Sequence, residues 1–320
     1  VNSYITGFQA YPSVAELSNG DIVFTWDSIG QDATSSHGIY AQRYSADGTP
    51  KGLEFNVNTT TAGHQSQSEV TGLVGGGFVV TWHEEFLDGN SWGVYGRMFD
   101  NTGVETKAEF QINTYVTGQQ AYPSVVGLSG GGFVVIWGSM AQVDANSGED
   151  VYGQMYNSSG TAVGSEFLIN TTTADVQGGY RASALEDGGF VVIWHSNLQD
   201  GDNYGNYLQR YDGNGAKVGS ETLVNSTTVG WQAWPNIAGL EDGGYIATWM
   251  VVDGTSTYDV FAQRFDVSGN KVGAVTQTGT ANNDTLILSA AIANTHIDLA
   301  GGVDSLTLAN ATNVLTVSNT

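Results

Sequence analysis

Apolar and polar residues alternate with a period of two along most of the chain, which is the pattern of β-strands with one buried face. Near the start of the chain, four such segments cover residues 13–17, 22–26, 39–44 and 53–58. Turn sequences such as Ser-Asn-Gly-Asp and Ala-Asp-Gly separate them. No segment shows the 3.6-residue period of an amphipathic helix. The pattern therefore predicts an all-β protein.

The same four segments recur five times. A tryptophan ends the second segment of each copy, at intervals of 56, 55, 57 and 55 residues: Trp26, Trp82, Trp137, Trp194 and Trp249. A glutamine stands 17 residues before each tryptophan: Gln9, Gln65, Gln120, Gln177 and Gln232. Four strands per unit of about 55 residues predict a five-bladed β-propeller over residues 1–278, with one four-stranded sheet per blade. A linear string of small β modules is the competing architecture, but a lone four-stranded sheet would be marginally stable.

Residues 279–320 have a different pattern and form a second predicted region. Pairs of apolar residues recur there at intervals of 11, 9 and 9 residues, which is typical of a parallel β-roll. Asp284 and Asp304 stand two residues before the first apolar residue of their turns, where such rolls place a calcium ligand. The other two turns have Thr295 and Asn313 there, so a short roll without calcium is the alternative.

The five units resemble repeats of very large bacterial surface and secreted proteins of the RTX class, the hemolysin-type calcium-binding proteins. The resemblance lies in Gln, Pro-Ser-Val, Gly-Gly-Phe-Val-Val-Thr-Trp, Tyr-x-Gln-Arg-Tyr and Glu-Phe-x-Val-Asn-Thr, in that order. The sequence Gly-Gly-Val-Asp-Ser-Leu-Thr-Leu at 301–308 is similar to their nonapeptide but lacks its third glycine. The resemblance implies type I secretion, calcium-dependent folding, an extracellular or cell-surface location and a role in adhesion, matrix or surface-layer assembly. It implies no particular reaction.

Charge and composition narrow the choice of partners. Nine Lys and Arg residues stand against 32 Asp and Glu, for a formal net charge of −23. Such a surface repels phosphate backbones and anionic lipids, which argues against nucleic-acid and membrane-surface binding and favours cations as partners. There is no cysteine, which excludes thiolate metal sites and cysteine nucleophiles. No apolar run approaches the roughly 20 residues of a membrane span, so membrane insertion is not expected.

Two loops after the tryptophans are candidate calcium sites, because several oxygen ligands fall within one glycine-bearing turn. The second unit contains Asp88 and Asn90, and the fourth contains Asp200, Asp202 and Asn203. Neither loop has a regularly placed acidic residue further along to complete a high-affinity site. The alternative is an Asx-turn, in which the carboxylate accepts hydrogen bonds from its own backbone.

The aromatic and acidic residues of the repeats bear on three classes of function: structural, binding and catalytic. The repeated glutamines are interpreted as scaffold, and Trp234 likewise, because it shares the position of Tyr11 and Tyr122. Trp92 and Trp231 lie outside the repeat pattern and are candidates for stacking on sugar rings. Most acidic residues fall in repeated turns, and Glu84 with Glu85 is the one irregular pair, placed in a loop. The sequence thus predicts a non-enzymatic adhesive or structural module, partnered by self-association or surface glycans. A lectin-like propeller is the alternative, and a glycoside hydrolase is a more distant one.

Overall fold

Five four-stranded antiparallel sheets make up most of the protein, in a computed structural model that describes residues 1–31, 37–143, 147–252 and 258–272. It also describes two short strands near the C-terminus, Thr285–Leu288 and Ser305–Leu308. The described residues contain no helix, and so none that could span a membrane. The prediction of an all-β propeller with five blades is confirmed.

Each sheet follows the chain in a simple meander, so that strands adjacent in sequence pair with each other. The strand bounds are, for blade 1, β1 Gln9–Glu16, β2 Ile22–Ile29, β3 His37–Tyr44 and β4 Pro50–Asn56; for blade 2, β5 Gln65–Gly72, β6 Phe78–Glu85, β7 Trp92–Phe99 and β8 Glu105–Gln111; for blade 3, β9 Gln120–Gly127, β10 Phe133–Met140, β11 Glu149–Tyr156 and β12 Ala162–Leu168; for blade 4, β13 Gln177–Ala184, β14 Phe190–Asn197, β15 Tyr204–Tyr211 and β16 Lys217–Leu223; and for blade 5, β17 Trp231–Gly239, β18 Tyr245–Val252, β19 Tyr258–Phe265 and β20 Lys271–Val272.

The cores lie between consecutive blades. Four separate clusters of buried side chains join blades 1 and 2, 2 and 3, 3 and 4, and 4 and 5. Trp82, Trp137 and Trp194 are fully buried in them. Next to the tryptophans, stacked aromatic pairs join the second and third strands, for example Phe133 with Tyr156 at a centroid separation of 4.9 Å. Large buried side chains of this kind contribute about 1.5–3 kcal/mol each, so the repeated aromatic positions add to the stability of every contact between blades.

The repeated glutamine connects neighbouring blades, as predicted for a scaffold residue. Gln120 is fully buried; its Nε2 donates to the Thr117 carbonyl (3.0 Å), and its Oε1 accepts from Asn113 Nδ2 (3.3 Å). Asn113 Oδ1 in turn accepts from the Val94 N–H (2.7 Å). The Asn–Gln pair therefore fixes the end of one blade to the first strand of the next.

The two C-terminal strands pair in parallel, from Thr285 with Ser305 to Leu288 with Leu308, which is the pairing that a roll requires. We number them β21 (Thr285–Leu288) and β22 (Ser305–Leu308). Asp284 and Asp304 lie outside the described residues, so the calcium site proposed there stays a prediction.

Candidate functional site

A cleft of about 520 Å³, the central cleft, is bordered by all five blades. Each blade contributes the residue two positions after its repeated glutamine: Tyr11, Gln67, Tyr122, Gly179 and Trp234. In every first strand the pairing register shifts at this point, which marks a β-bulge. The bulges bring one side of each blade to a common centre.

The residues at these bulges have a strained backbone. Their φ angles are 49° at Tyr11, 58° at Gln67, 56° at Tyr122 and 49° at Trp234, in the left-handed region that costs a non-glycine residue about 1–2 kcal/mol. The rings of Tyr11, Tyr122 and Trp234 are about half exposed. Strain that recurs around an open cleft is typical of a binding site. Trp234, interpreted from the sequence as a scaffold residue, has a ring that is about half exposed and borders the cleft, as Tyr11 and Tyr122 do at the same repeat position.

In blades 1 and 2, the residue that follows the core tryptophan supports the bulge of the next blade. Asp27 Oδ2 accepts hydrogen bonds from Ser66 Oγ (2.5 Å) and the Gln67 N–H (3.0 Å). His83 Nδ1 accepts from the Tyr122 N–H (3.0 Å). Burial raises the pKa of Asp27 to about 6 and lowers the pKa of His83 to about 3. His83 is therefore neutral near pH 7, and its Nδ1 is free of a proton and able to accept.

Blade 3 has a glycine at this position, and the space is used differently. The Gly138 N–H donates to the hydroxyl of Tyr180 (2.5 Å), which donates to the Ala121 carbonyl (2.7 Å). The carboxyl group of Glu149 lies against Gly138, so closely that a Cβ at residue 138 would be 2.0 Å from Glu149 Oε1. A residue with a side chain cannot occupy position 138 while Glu149 keeps this conformation.

Glu149 borders the central cleft with an altered acidity. Burial raises its pKa to about 7, and the negative charge of Asp150 adds to the effect. Near neutral pH, a substantial fraction of Glu149 is thus protonated and able to donate a proton.

Glu69 is the second carboxyl group of the cleft. Burial raises its pKa, while the positive charge of Arg181 and hydrogen bonds from the Val125 N–H and the Ser124 hydroxyl oppose the rise. Glu69 and Arg181 occupy one repeat position, four residues after the glutamine, where the other units carry Ser13, Ser124 and Asn236. The cleft therefore contains two carboxyl groups in different environments and one guanidinium group.

These residues were missed in the sequence, although a signal existed. Glu149 stands at the first position of the third strand, where the other blades have His37, Trp92, Tyr204 and Tyr258. A charged residue that departs from the repeat at a shared position was the available sign, for Glu69 and Glu149 alike. The repeat pattern instead emphasises the acidic residues of the turns, because they recur from unit to unit. The expectation that no asymmetric group of acids exists is wrong.

Glu84, predicted to stand in a loop, lies in β6 and is fully buried. Its carboxylate accepts from Trp82 Nε1 (3.2 Å) and Gln65 Nε2 (3.2 Å). Burial raises the pKa of Glu84 to about 7. This residue does not border the central cleft and belongs to the interior of blade 2.

The two predicted calcium loops form internal hydrogen bonds. Asp88 Oδ1 accepts from the Asn90 N–H (3.0 Å), as an Asx-turn does. Asp202 accepts from the Asn203 N–H (3.0 Å) within the loop and from the Gly230 N–H (3.0 Å) in the segment before blade 5, and Asp200 accepts from Asn225 Nδ2 (3.3 Å) in that same segment. Among the described residues, no three acidic or histidine side chains group as a metal site would require. Calcium at these loops stays a prediction.

The two predicted sugar-stacking tryptophans lie behind the cleft. Trp92 packs on His83 with ring centroids 4.5 Å apart, and Trp231 packs on Trp234 at 5.1 Å. Trp92 therefore supports His83, which holds the bulge at Tyr122, and Trp231 supports Trp234. Of the three tryptophans, Trp234 borders the cleft.

Comparisons with known proteins agree with this architecture. No protein-family model and no curated protein matches the chain. Among solved structures, the chain is similar to an α-L-arabinofuranosidase of Fusarium graminearum bound to an iminosugar inhibitor (TM-score 0.56, 11% identity, 83% of each chain covered). It is also similar to an α-L-arabinanase of Penicillium chrysogenum in complex with arabinobiose (0.55, 15%, 81% of this chain and 79% of the other). A Hadza microbial sialidase is a further match (0.51, 10%, 82% of this chain and 59% of the other). At these identities the likeness establishes the fold.

The prediction of a non-enzymatic adhesive module is corrected by these findings. It depended on the absence of acids converging on the channel, and Glu69 and Glu149 do converge there. The three solved structures named above are, moreover, an arabinofuranosidase, an arabinanase and a sialidase.

Proposed function

We propose that the protein is a glycoside hydrolase whose active site is the central cleft. The observation that carries the proposal is the pair of Glu69 and Glu149 in one cleft, with the pKa of Glu149 raised to about 7. Glycoside hydrolysis uses two carboxyl groups, one protonated and one ionised, on the two sides of the scissile bond. The likeness to arabinanase and arabinofuranosidase structures supports the same class of reaction.

The environments of the two carboxyl groups assign their roles. Glu149 is the general acid, because burial keeps its proton near neutral pH; it protonates the glycosidic oxygen as the bond breaks. Glu69 is the nucleophile or the base that activates water: burial raises its pKa as well, but Arg181 and two hydrogen bonds, which Glu149 lacks, oppose the rise and favour the ionised form. In either case one water molecule is added across the bond, and the acid regains its proton.

Tyr11, Tyr122 and Trp234 supply the sugar-binding surface. Their half-exposed rings stand around the cleft on rigid strands, and sugar rings stack on such aromatic faces. The net charge of −23 repels anionic ligands, so neutral sugars are favoured over sialic acids. Arabinose oligosaccharides are the first candidate substrates.

The test is hydrolysis of a panel containing arabino-oligosaccharides, aryl arabinofuranosides, other neutral glycosides and a sialoside. Glu149→Gln and Glu69→Gln are each expected to lower kcat/KM by about 10²–10⁴-fold, the usual contribution of a general acid or base. Glu186→Gln, on an exposed turn and not among the residues that line the cleft, is the control and should keep full activity.

The outcomes separate catalysis from binding. Hydrolysis lost in both cleft variants and kept in the control supports the proposal. Glycan binding without hydrolysis by the unaltered protein would identify a lectin instead. Hydrolysis that survives both substitutions would place the active site elsewhere.

A further inference from the structure

Two faces of the propeller are exposed where the repeat normally buries them. In the first strand, one position faces the preceding blade and is 7%, 6% and 7% exposed at Val70, Val125 and Ile237. Blade 4 has the partly buried Ala182 there. The same position in blade 1, Val14, is 57% exposed. Blade 1 therefore has an open face on the side where the other blades have a neighbour.

Blade 5 has the matching open face on its opposite side. In the third strand, the position that faces the following blade is completely buried at Ile39, Val94 and Val151. Its equivalent in blade 5, Val260, is 61% exposed. The sequence keeps an apolar residue at both ends although neither side chain is covered.

The arrangement of the cores explains both exposures. The four buried clusters join consecutive blades, and among the described residues none joins blade 5 to blade 1. Tyr11 of blade 1 and Trp234 of blade 5 nevertheless border the same cleft. The two open faces therefore bound one gap in the ring.

The N-terminal segment already makes the contacts of a link between blades. In three blades, a threonine N–H after a fourth strand donates to a glutamate of the next blade, at 2.7 Å for Thr59 with Glu109, 2.8 Å for Thr114 with Glu166 and 2.7 Å for Thr171 with Glu221. Ser3 donates to Glu54 in the same way (2.6 Å). Blade 1 thus holds a linker of the kind that joins two blades.

We propose that one further four-stranded unit of the same repeat fills the gap and packs on both open faces. The two faces are the two halves of an interface that the molecule contains four times; in the first copy, Val70 and Ile39 share one buried cluster. A unit of this repeat carries both halves and matches both faces. The proposal is independent of the enzymatic activity.

The experiment compares end positions with interior ones in two proteins. One is the 320-residue chain, and the other carries an added copy of residues 59–111 directly before Val1. In each, Val14→Asp and Val260→Asp are measured by thermal melting and light scattering beside the interior controls Val70→Asp and Val94→Asp. If an aspartate variant fails to fold, the corresponding alanine variants give the same comparison.

In the 320-residue chain, a monomer is expected, with end variants that change Tm by less than about 2 °C and interior variants that lower it by about 5 °C or more. In the extended chain, Tm should be higher than in the 320-residue chain, and both end variants should lower it as much as the interior variants do. The proposal is overturned if the extended chain is no more stable and its end variants stay silent. It is also overturned if the end variants already lower Tm by about 5 °C or more in the 320-residue chain. That result would mean that the two faces are covered without a further unit, either in a monomer that closes on itself or in a dimer that the end variants dissociate.

Discussion

Gly138→Ala is the substitution that tests the candidate site most directly. The added Cβ would lie 2.0 Å from Glu149 Oε1 and 2.9 Å from the Tyr180 hydroxyl, so both groups must move. The carboxyl is the end of a flexible side chain and can turn toward solvent, so the fold should survive. Overpacking of this kind costs about 1–3 kcal/mol, which lowers Tm by about 2–10 °C.

The displaced carboxyl should lose its raised pKa, and this can be measured without a substrate. In the folded protein the pKa of Glu149 is about 7, against an ordinary value of 4.5. The native state therefore holds a proton that the unfolded state has released, and stability falls as pH rises from about 4.5 to about 7. The shift corresponds to about 3 kcal/mol, which we reduce to about 1–3 kcal/mol because Glu149 is only half-buried.

The assay is the free energy of unfolding from denaturant titrations at pH 5 and pH 8. Between pH 5 and pH 8, the free energy of unfolding of Gly138→Ala should fall by about 1–3 kcal/mol less than that of the unaltered protein. Gly130→Ala is the matched control, because it lies in the same blade and no atom is within 4 Å of the added Cβ. It should change neither the free energy of unfolding nor its pH dependence. Equal pH dependence in all three proteins would refute the placement of Glu149 against Gly138.

Three further predictions concern the charge beside Glu69, the repeated glutamine and the two candidate calcium loops. Arg181→Gln removes a charge that lowers the pKa of Glu69, so the acid limb of the pH–activity profile should move to higher pH. Gln120→Leu leaves buried backbone and amide groups unpaired and should cost about 1–3 kcal/mol by denaturant titration, whereas Gln9→Leu, at the half-buried equivalent in blade 1, should cost less. If the predicted calcium loops bind the ion, Tm should be higher in millimolar calcium than in EDTA, and Asp202→Asn should reduce this difference. An unchanged Tm would show that calcium does not stabilise the folded protein.

The repeat carried most of the information about the fold. Tryptophans and glutamines at a fixed spacing predict five identical sheets, because the same side chains must fill the same cavity in each copy. The first strand of blade 1, however, begins at Gln9 and not at residue 13, because the bulge interrupts its alternation. A bulge shifts which side chains face the centre, and the period-two pattern does not reveal it.

The site could not be assembled from the sequence because its members are exceptions spread over several units. Glu69, Glu149 and Arg181 belong to three different blades, and what brings them together is the arrangement of the blades around one cleft. Burial, which sets the pKa of each carboxyl group, depends on neighbours from adjacent blades. In a repeat protein of this kind, positions where one unit departs from the others therefore indicate the site better than positions where all units agree.

The position after the core tryptophan shows how a symmetric scaffold acquires one asymmetric site. In blades 2 and 4 it carries a histidine, on which an aromatic ring from the start of the third strand packs, at 4.5 Å for His83 with Trp92 and at 4.8 Å for His195 with Tyr204. In blade 3 both partners are changed together, to Gly138 and Glu149. Glycine opens the space that the histidine ring fills elsewhere, and a carboxyl group, whose desolvation raises its pKa, enters it. Because either change alone would leave a cavity or a clash, the pair accounts for why the candidate acid lies in blade 3.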